Sequence, residues 1–319
     1  MFEIIPPNTN VDFLGWRRTA MIVSAVLLII SAGLLVIRGP QLGIDFAGGS
    51  LVHVRFAAPK QTDEVRAALS EAGFENLDIQ DLGRDGGEFL IRLPLEGDGT
   101  EEVSQRVVGT LKERFGADQV DVLRIEAVGP RVGEALRGKA VLAVALATLM
   151  MAVYIWLRFE WRFGVGTAIA ILHDVLIVVG FLIIFGYEFD LNIIASLLTV
   201  MGFSVNDKVV VSDRIRESRR KDRRSPLAVV INRSVNETLS RTILTNGTAF
   251  IAVLSLYLLG GSVIHGFAFA LVVGSIIGTY SSIFVVSPIV LFFEPSGAAA
   301  ATPERRERRV PTTSAARRR

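Results

Sequence analysis

Gly202-Phe203-Ser204-Val205-Asn206-Asp207-Lys208-Val209-Val210-Val211 closes an apolar stretch, residues 191–211, of the length a bilayer crossing takes, about 20 residues. An Asn, an Asp and a Lys stand in its second half, and the charged run from Ser212 to Arg224 follows at once. An ionisable side chain at the bilayer centre costs about 2.5–3.5 kcal/mol on insertion scales, so one that is kept marks a working site. The stretch reads as a span that couples to ions or protons, not as a plain anchor.

Outward from it, the whole chain is apolar: 50% of its 319 residues are hydrophobic. Spans are expected at 19–37, 138–157, 164–185, 191–211, 242–260 and 265–293, six in all. Short connections set the orientation. Arg17 and Arg18 precede the first span, Arg158 and Arg162 lie between the second and third, and Arg214, Arg216, Arg219, Arg220, Lys221, Arg223 and Arg224 follow the fourth. The opposite short connections, Gly186–Asp190 and Gly260–His265, contain no Lys or Arg. Both termini, with 1–18 at one end and 295–319 at the other, are therefore expected in the cytoplasm. The first apolar stretch runs on past Ser31-Ala32-Gly33, which argues against a cleaved signal peptide. The absence of Cys excludes disulfides, thiolate metal sites and Cys nucleophiles. Net charge is only +2. The basic loop and tail are thus local features suited to anionic lipid head groups, and no nucleic acid is expected.

Residues 38–137 form a predominantly polar segment between the first two spans, long enough for a small core. Val52, Val54 and Phe56 alternate with His53 and Arg55 as in a half-buried strand. Thr62-Asp63-Glu64 opens a helix with Val65, Leu69 and Ala72 on one face, and Leu77 and Ile79 mark a second strand. Asp85-Gly86-Gly87 turns into Phe89, Ile91 and Leu93; Thr100 caps a helix carrying Val103, Val107, Leu111 and Phe115; Val120, Val122 and Ile125 form a last strand. The order strand-helix-strand-strand-helix-strand is the split βαβ pattern. The expected fold is an α-helical polytopic membrane protein with one extracytoplasmic α+β ferredoxin-like domain between the first and second helices. His53 is read as exposed, and Gly43-Ile44-Asp45-Phe46-Ala47-Gly48-Gly49 as a structural turn that leads the chain off the membrane.

Three places break the apolar rule inside the spans: His173-Asp174, Asn206-Asp207-Lys208, and Arg241 at the entry to the fifth. Asp207 and Arg241 stand at similar depth and are expected to pair. Arg stays protonated, so the carboxylate would be the titrating partner. Lys208 is read as a side chain snorkelling to the interface, and His173-Asp174 as either a relay or a hydrogen-bonded packing pair. Gly266, Ala270, Gly274, Gly278 and Ser282 recur every four residues, a ridge for close helix approach. Thr279 to Ser282 add groups for interhelical hydrogen bonds. Residues 212–241 are read as a basic cytoplasmic loop with Ser225-Pro226 opening an interfacial helix, whose stripe is Leu227, Val230, Ile231, Val235 and Leu239. The tail, 295–319, reads as disordered.

Several of these segments together resemble the SecF family of bacterial protein-export subunits. They are Gly43–Gly49, Val128-Gly129-Pro130, His173-Asp174-Val175-Leu176-Ile177, the run Asn206 to Glu217, Asn236 to Thr242, and Gly278 to Phe284. The resemblance covers nearly the whole chain apart from the tail. It implies one half of a resistance-nodulation-division type transporter in the bacterial inner membrane, with SecD as the other six-span half. It further implies work beside the SecYEG channel and its accessory subunits on unfolded exported polypeptides, with no cofactor and the proton gradient as energy source. The family's Asp and Arg of the fourth and fifth spans fall on Asp207 and Arg241. Two positions depart from the family pattern: Phe203 stands for a Tyr and Lys208 for a Thr. A cation beside Asp207 would hold its carboxylate ionised.

Other readings are a drug- or lipid-moving half-transporter of the same superfamily, an intramembrane aspartyl protease and a structural scaffold. The transporters use larger outer domains, and the protease needs a Gly-x-Gly-Asp context that neither Asp174 nor Asp207 has. The chain is not expected to be an enzyme.

Overall fold

A computed structural model describes residues 10–74, 77–82, 87–93, 100–159, 161–261 and 263–293. In chain order the elements are α1 (Arg17–Ile37), β1 (Gln41–Leu42), α2 (Ile44–Ala47), β2 (Gly49–Phe56), α3 (Thr62–Glu71), β3 (Asp78–Asp81), β4 (Glu88–Leu93) and α4 (Thr100–Phe115). Then come β5 (Val120–Val128), α5 (Pro130–Arg158), α6 (Trp161–Ile184), β6 (Glu188–Phe189), α7 (Leu191–Lys221), α8 (Leu227–Leu259), α9 (His265–Phe284) and α10 (Val286–Phe292).

Among the described residues six helical segments are long and apolar enough to cross a membrane: α1, α5, α6, α7, α8, and α9 with α10. Burial divides them. In α6, α7 and the sixth segment 50–61% of the apolar window is covered by protein, against 11–17% in α1, α5 and α8. The first three form the centre of the bundle. The others turn Ile22, Ile29, Leu142, Met150, Ile251 and Leu258 outward, as lipid-facing surfaces require.

The ridge on α9 packs against α7 of the same chain. A Cβ at Gly266 would lie 3.3 Å from Ile193 Cδ1, and one at Gly278 3.0 Å from Ser204 Oγ. At Gly274 it would meet the Val200 side chain still more closely. Ser282 turns back on its own helix, donating to the Gly278 carbonyl at 2.8 Å, and Ala270 is buried.

β3, β4, β2 and β5 form a four-stranded sheet in that order, each neighbouring pair antiparallel. Val52, Val54, Phe56, Phe89, Ile91 and Leu93 face Val65, Leu69, Val107 and Leu111 of α3 and α4. The alternation in sequence is the alternation in space. Ala72 sits exposed at the end of α3, and Ala68 is buried there instead. Asp85, Gly86 and the side chain of Thr100 lie outside the described residues, as does the tail.

The glycine-rich segment is a clasp. β1 pairs in parallel with β6, and Gly43 N–H donates to the Phe189 carbonyl at 2.8 Å. Asp45 Oδ2 accepts from Leu191 N at 2.9 Å, while Asp190 caps the same helix by accepting from Ile193 N at 2.8 Å. Two orphan donors at the start of α7 are thereby satisfied from two segments far apart in sequence. Gly48 has φ +76°, and a Cβ there would lie 2.9 Å from Pro130 Cα. A side chain is excluded both by backbone conformation and by α5.

Two expectations fail. The charged run after the fourth span is no loop: α7 continues helically to Lys221, and α8 starts at Leu227 and runs unbroken into the fifth span. The stripe Leu227, Ile231, Val235 and Leu239 packs on Val211, Ile215 and Leu14 instead of lipid. Asn232 and Asn236 of α8 also hold the N-terminal segment, accepting from Phe13 N at 2.9 Å and Val11 N at 2.8 Å. An apolar stripe needs covering, and here protein covers it. His53, expected exposed, is only 2% exposed. It lies on the sheet face turned toward the α6–α7 and α8–α9 connections, lining a crevice of about 1140 Å³ with Glu88, Arg92, Tyr187, Glu188 and Tyr257. Burial pushes its imidazole below the ordinary value, against the pull of Glu88 3.6 Å away. Arg92 ties this face to the bundle through an ion pair with Glu188.

Candidate functional site

At 3.6 residues per turn, Ser204 and Lys208 share one face of α7, and Asp207 points about 100° away from Lys208. That single step separates two polar clusters. The Lys208 face looks toward α6 and α9; the Asp207 face looks toward α8.

On the first face Lys208 is 0% exposed, the reverse of the snorkelling expected of it. Its Nζ donates to Asp174 Oδ2 at 2.7 Å, to Ser281 Oγ at 2.8 Å and to Ser204 Oγ. Side chains on a helix lean toward its N-terminus. The four-carbon stem therefore lies back along α7 by about one turn, roughly 6 Å, toward the middle of the bundle. Snorkelling lost because a carboxylate and two hydroxyls are fixed there, and a buried ammonium is tolerated only when paired.

Every donor of Lys208 and both oxygens of Asp174 have a partner in this cluster, while His173 Nε2 is buried without one. An ammonium has three donors, and all three are used. Ser204 and Ser281 pass their own protons to Asp174 Oδ2, at 2.5 and 2.8 Å. His173 Nδ1 lies 3.0 Å from Asp174 Oδ1, which makes Nδ1 the protonated nitrogen. The His173 ring stacks on Tyr280 with centroids 6.4 Å apart, and Tyr280 Oη donates to the Ala20 carbonyl at 2.7 Å. The cluster thus joins α6, α7 and α9, with α1 attached through Tyr280. Thr279 accepts from Asn246 of α8 at 2.8 Å. Thr279, Tyr280 and Ser281 all make the interhelical bonds their run in sequence announced.

The second face is unfinished. Asp207 is 6% exposed; its Oδ1 accepts from Thr242 Oγ1 at 2.8 Å, and its Oδ2 is buried with no hydrogen-bond partner. Arg241, expected to pair with it, is exposed on α8, and no ion pair joins the two among the described residues. The reason is again the helical step: Thr242 faces α7, so its predecessor Arg241 faces out. Asn206 is also exposed, off both clusters. Of the five residues singled out from sequence, the structure joins His173 to Asp174 and leaves Asp207, Arg241 and Asn206 apart. Missed were Ser204, Thr242 and the buried role of Lys208. The usable signal was Ser204 and Lys208 four apart on a span, facing one buried carboxylate too many.

Among the described residues no group of His, Asp and Glu side chains is arranged to hold a metal ion.

Comparison with known proteins bears on the whole chain. The family described as "Protein export membrane protein SecD/SecF, C-terminal" matches residues 107–296, and the "SecD/SecF GG Motif" matches residues 33–60. A protein translocase subunit SecF of Desulfurispirillum indicum is 45% identical over 292 residues, 89% of this chain and 92% of the relative. That of Rhodothermus marinus is 42% identical over 298 residues, 92% of this chain and 96% of the relative. A crystal structure of SecDF, a translocon-associated membrane protein from Thermus thermophilus, superposes with a TM-score of 0.80 at 38% identity. The match takes in 91% of this chain but only 39% of that longer one. The clasp of α2 and the span bearing Asp207 both lie within the matched regions, and the chain belongs to the SecD/SecF family of protein export membrane proteins, among its SecF members.

Proposed function

We propose that this chain is an accessory subunit of the protein-export machinery that lets protons move through its membrane half to drive late translocation. The observation that carries the reading is Asp207: a carboxylate buried within a span, hydrogen-bonded on one oxygen and unpartnered on the other. An empty lone-pair site on a buried carboxylate is where a proton binds, and an intramembrane acid of this kind serves proton relays. Arg241, exposed on the neighbouring helix, supplies a cation whose approach or withdrawal would change the hold on that proton.

The longer SecDF chain supports a second half. A six-span SecD-type protein would supply what this chain lacks of it, and the pair would stand at the SecYEG channel and act on unfolded polypeptides. The sheet order β3-β4-β2-β5 with α3 and α4 on one face supports the ferredoxin-like reading of the α/β domain, placed on the extracytoplasmic side of a bacterial inner membrane. Both termini and the tips of α7 and α8 then lie in the cytoplasm, where their basic residues meet anionic lipid. The subunit makes and breaks no covalent bond in its cargo.

The test is export into inverted vesicles carrying the complex, with and without an imposed proton gradient. Asp207→Asn and Arg241→Met are expected to insert normally and to lose the gradient's acceleration of late export. Unchanged acceleration in both variants refutes the reading.

A further inference from the structure

We infer that Asp174 and Lys208 are a positioning pair: a permanently ionised, mutually neutral unit that keeps the Lys208 charge away from Asp207 and leaves Asp207 free to take up and release the proton. The inference rests on the proton-coupling reading of Asp207 and deepens it.

Two intramembrane carboxylates and one lysine on adjacent helices allow two pairings. A lysine next to Asp207 in sequence would hold that carboxylate ionised if its ammonium lay beside it. The structure sends the ammonium to the other carboxylate. Lys208 Nζ spends all three donors on Asp174 Oδ2, Ser204 Oγ and Ser281 Oγ. Asp174 in turn accepts from Lys208, Ser204 and Ser281 on Oδ2 and has His173 on Oδ1. Neither oxygen of Asp174 is without a hydrogen-bond partner, and Lys208 has no donor left for Asp207. Among the described residues the charged and titratable groups facing this cluster are Asp174 and His173 from α6, the latter with its Nε2 buried and unpartnered, and Tyr280 from α9. Around Asp207, α8 contributes Thr242 in contact and Arg241 turned outward. The two carboxylates therefore divide the work. Asp174 neutralises and positions; Asp207, with an open Oδ2, exchanges.

Carbodiimide labelling of the intact protein in native membranes tests this, because a hydrophobic carbodiimide modifies protonated carboxyl groups within the bilayer. Peptide mass mapping is expected to find the adduct on Asp207 and none on Asp174. An adduct on Asp174 overturns the inference.

Variants give a second arm. Lys208→Met and Asp174→Asn each leave one charge buried alone and are expected to reduce folded yield by more than about tenfold. The double variant Asp174→Asn/Lys208→Met removes both charges and is expected to restore the yield. It should also keep gradient-accelerated export, with its half-maximal pH where the wild type has it. A double variant that folds but no longer responds to the gradient overturns the positioning role and leaves the Asp207 reading standing. Failure of the Asp207 reading shows separately, as normal gradient response in both Asp207→Asn and Arg241→Met.

Discussion

Gly274→Ala should be among the most costly single-methyl additions in this chain. A Cβ at Gly274 would lie within 3.0 Å of three side-chain carbons of Val200 on α7. Carbon atoms settle at about 3.5–4.0 Å, so either the helices part by roughly an ångström or more, or Val200 leaves its rotamer. Val200 is 1% exposed and has nowhere to go. Overpacking of this kind costs about 1–3 kcal/mol, and the better helix propensity of Ala returns about 0.8–1.0 kcal/mol. The net loss is then about 1 kcal/mol, rising to about 2 kcal/mol if the helices cannot adjust. Between helices in lipid no hydrophobic force compensates for lost packing. The same parting would lengthen the 2.8 Å bonds from Ser281 on α9 to Lys208 and Asp174. Thermal unfolding in detergent, followed by fluorescence-detected size exclusion, should show a midpoint lower by about 2–4 °C per kcal/mol. Gly202→Ala is the control, since a Cβ there meets nothing within 4 Å; it should leave the midpoint unchanged or slightly raised. Val200→Ala should rescue Gly274→Ala. Equal midpoints for the Gly202 and Gly274 variants would refute the reasoning.

Asp45→Ala removes an acceptor from the first turn of α7 and should cost about 1 kcal/mol. Hydrogen exchange at Leu191 is expected to speed up while Asp45→Asn, whose amide oxygen still accepts, stays near the wild-type rate; equal rates in the two variants would contradict the cap. His53 makes the stability of the sheet domain sensitive to acid. Its folded pKa lies below the ordinary imidazole value because of burial, with Glu88 opposing and Arg55 and Arg124 adding to the fall. Below about pH 6.5 the unfolded chain therefore takes up a proton that the folded one refuses, and stability drops as pH falls. The melting midpoint should decrease less between pH 7.5 and 5.5 in His53→Gln than in the wild type, and parallel decreases would count against it.

Sequence and structure agree where the information is local and diverge where it is not. The six apolar segments and the alternating Val52-Val54-Phe56 strand were legible because hydropathy and period 2 are properties of a short window. The ridge Gly266 to Ser282 was legible as a surface, but its partner, α7, was not. The stripe Leu227 to Leu239 announced that it would be covered without saying by what. His53 was misread for a related reason: its strand shows which side of the sheet it takes, and only the folded neighbours on that side, Glu88 among them, decide that it is buried.

The site shows the division most sharply. That Asp174, Asp207, Lys208 and Arg241 would stand in or near the membrane followed from sequence alone, because the cost of an ion in hydrocarbon makes its retention conspicuous. Which charge meets which did not follow. A step of one residue turns a side chain by about 100°, so Thr242 replaced Arg241 at Asp207. A lysine stem reaching one turn back carried its charge to Asp174. Pairing in a low-dielectric interior depends on ångström distances, and those distances come into being only when α6, α7, α8 and α9 pack.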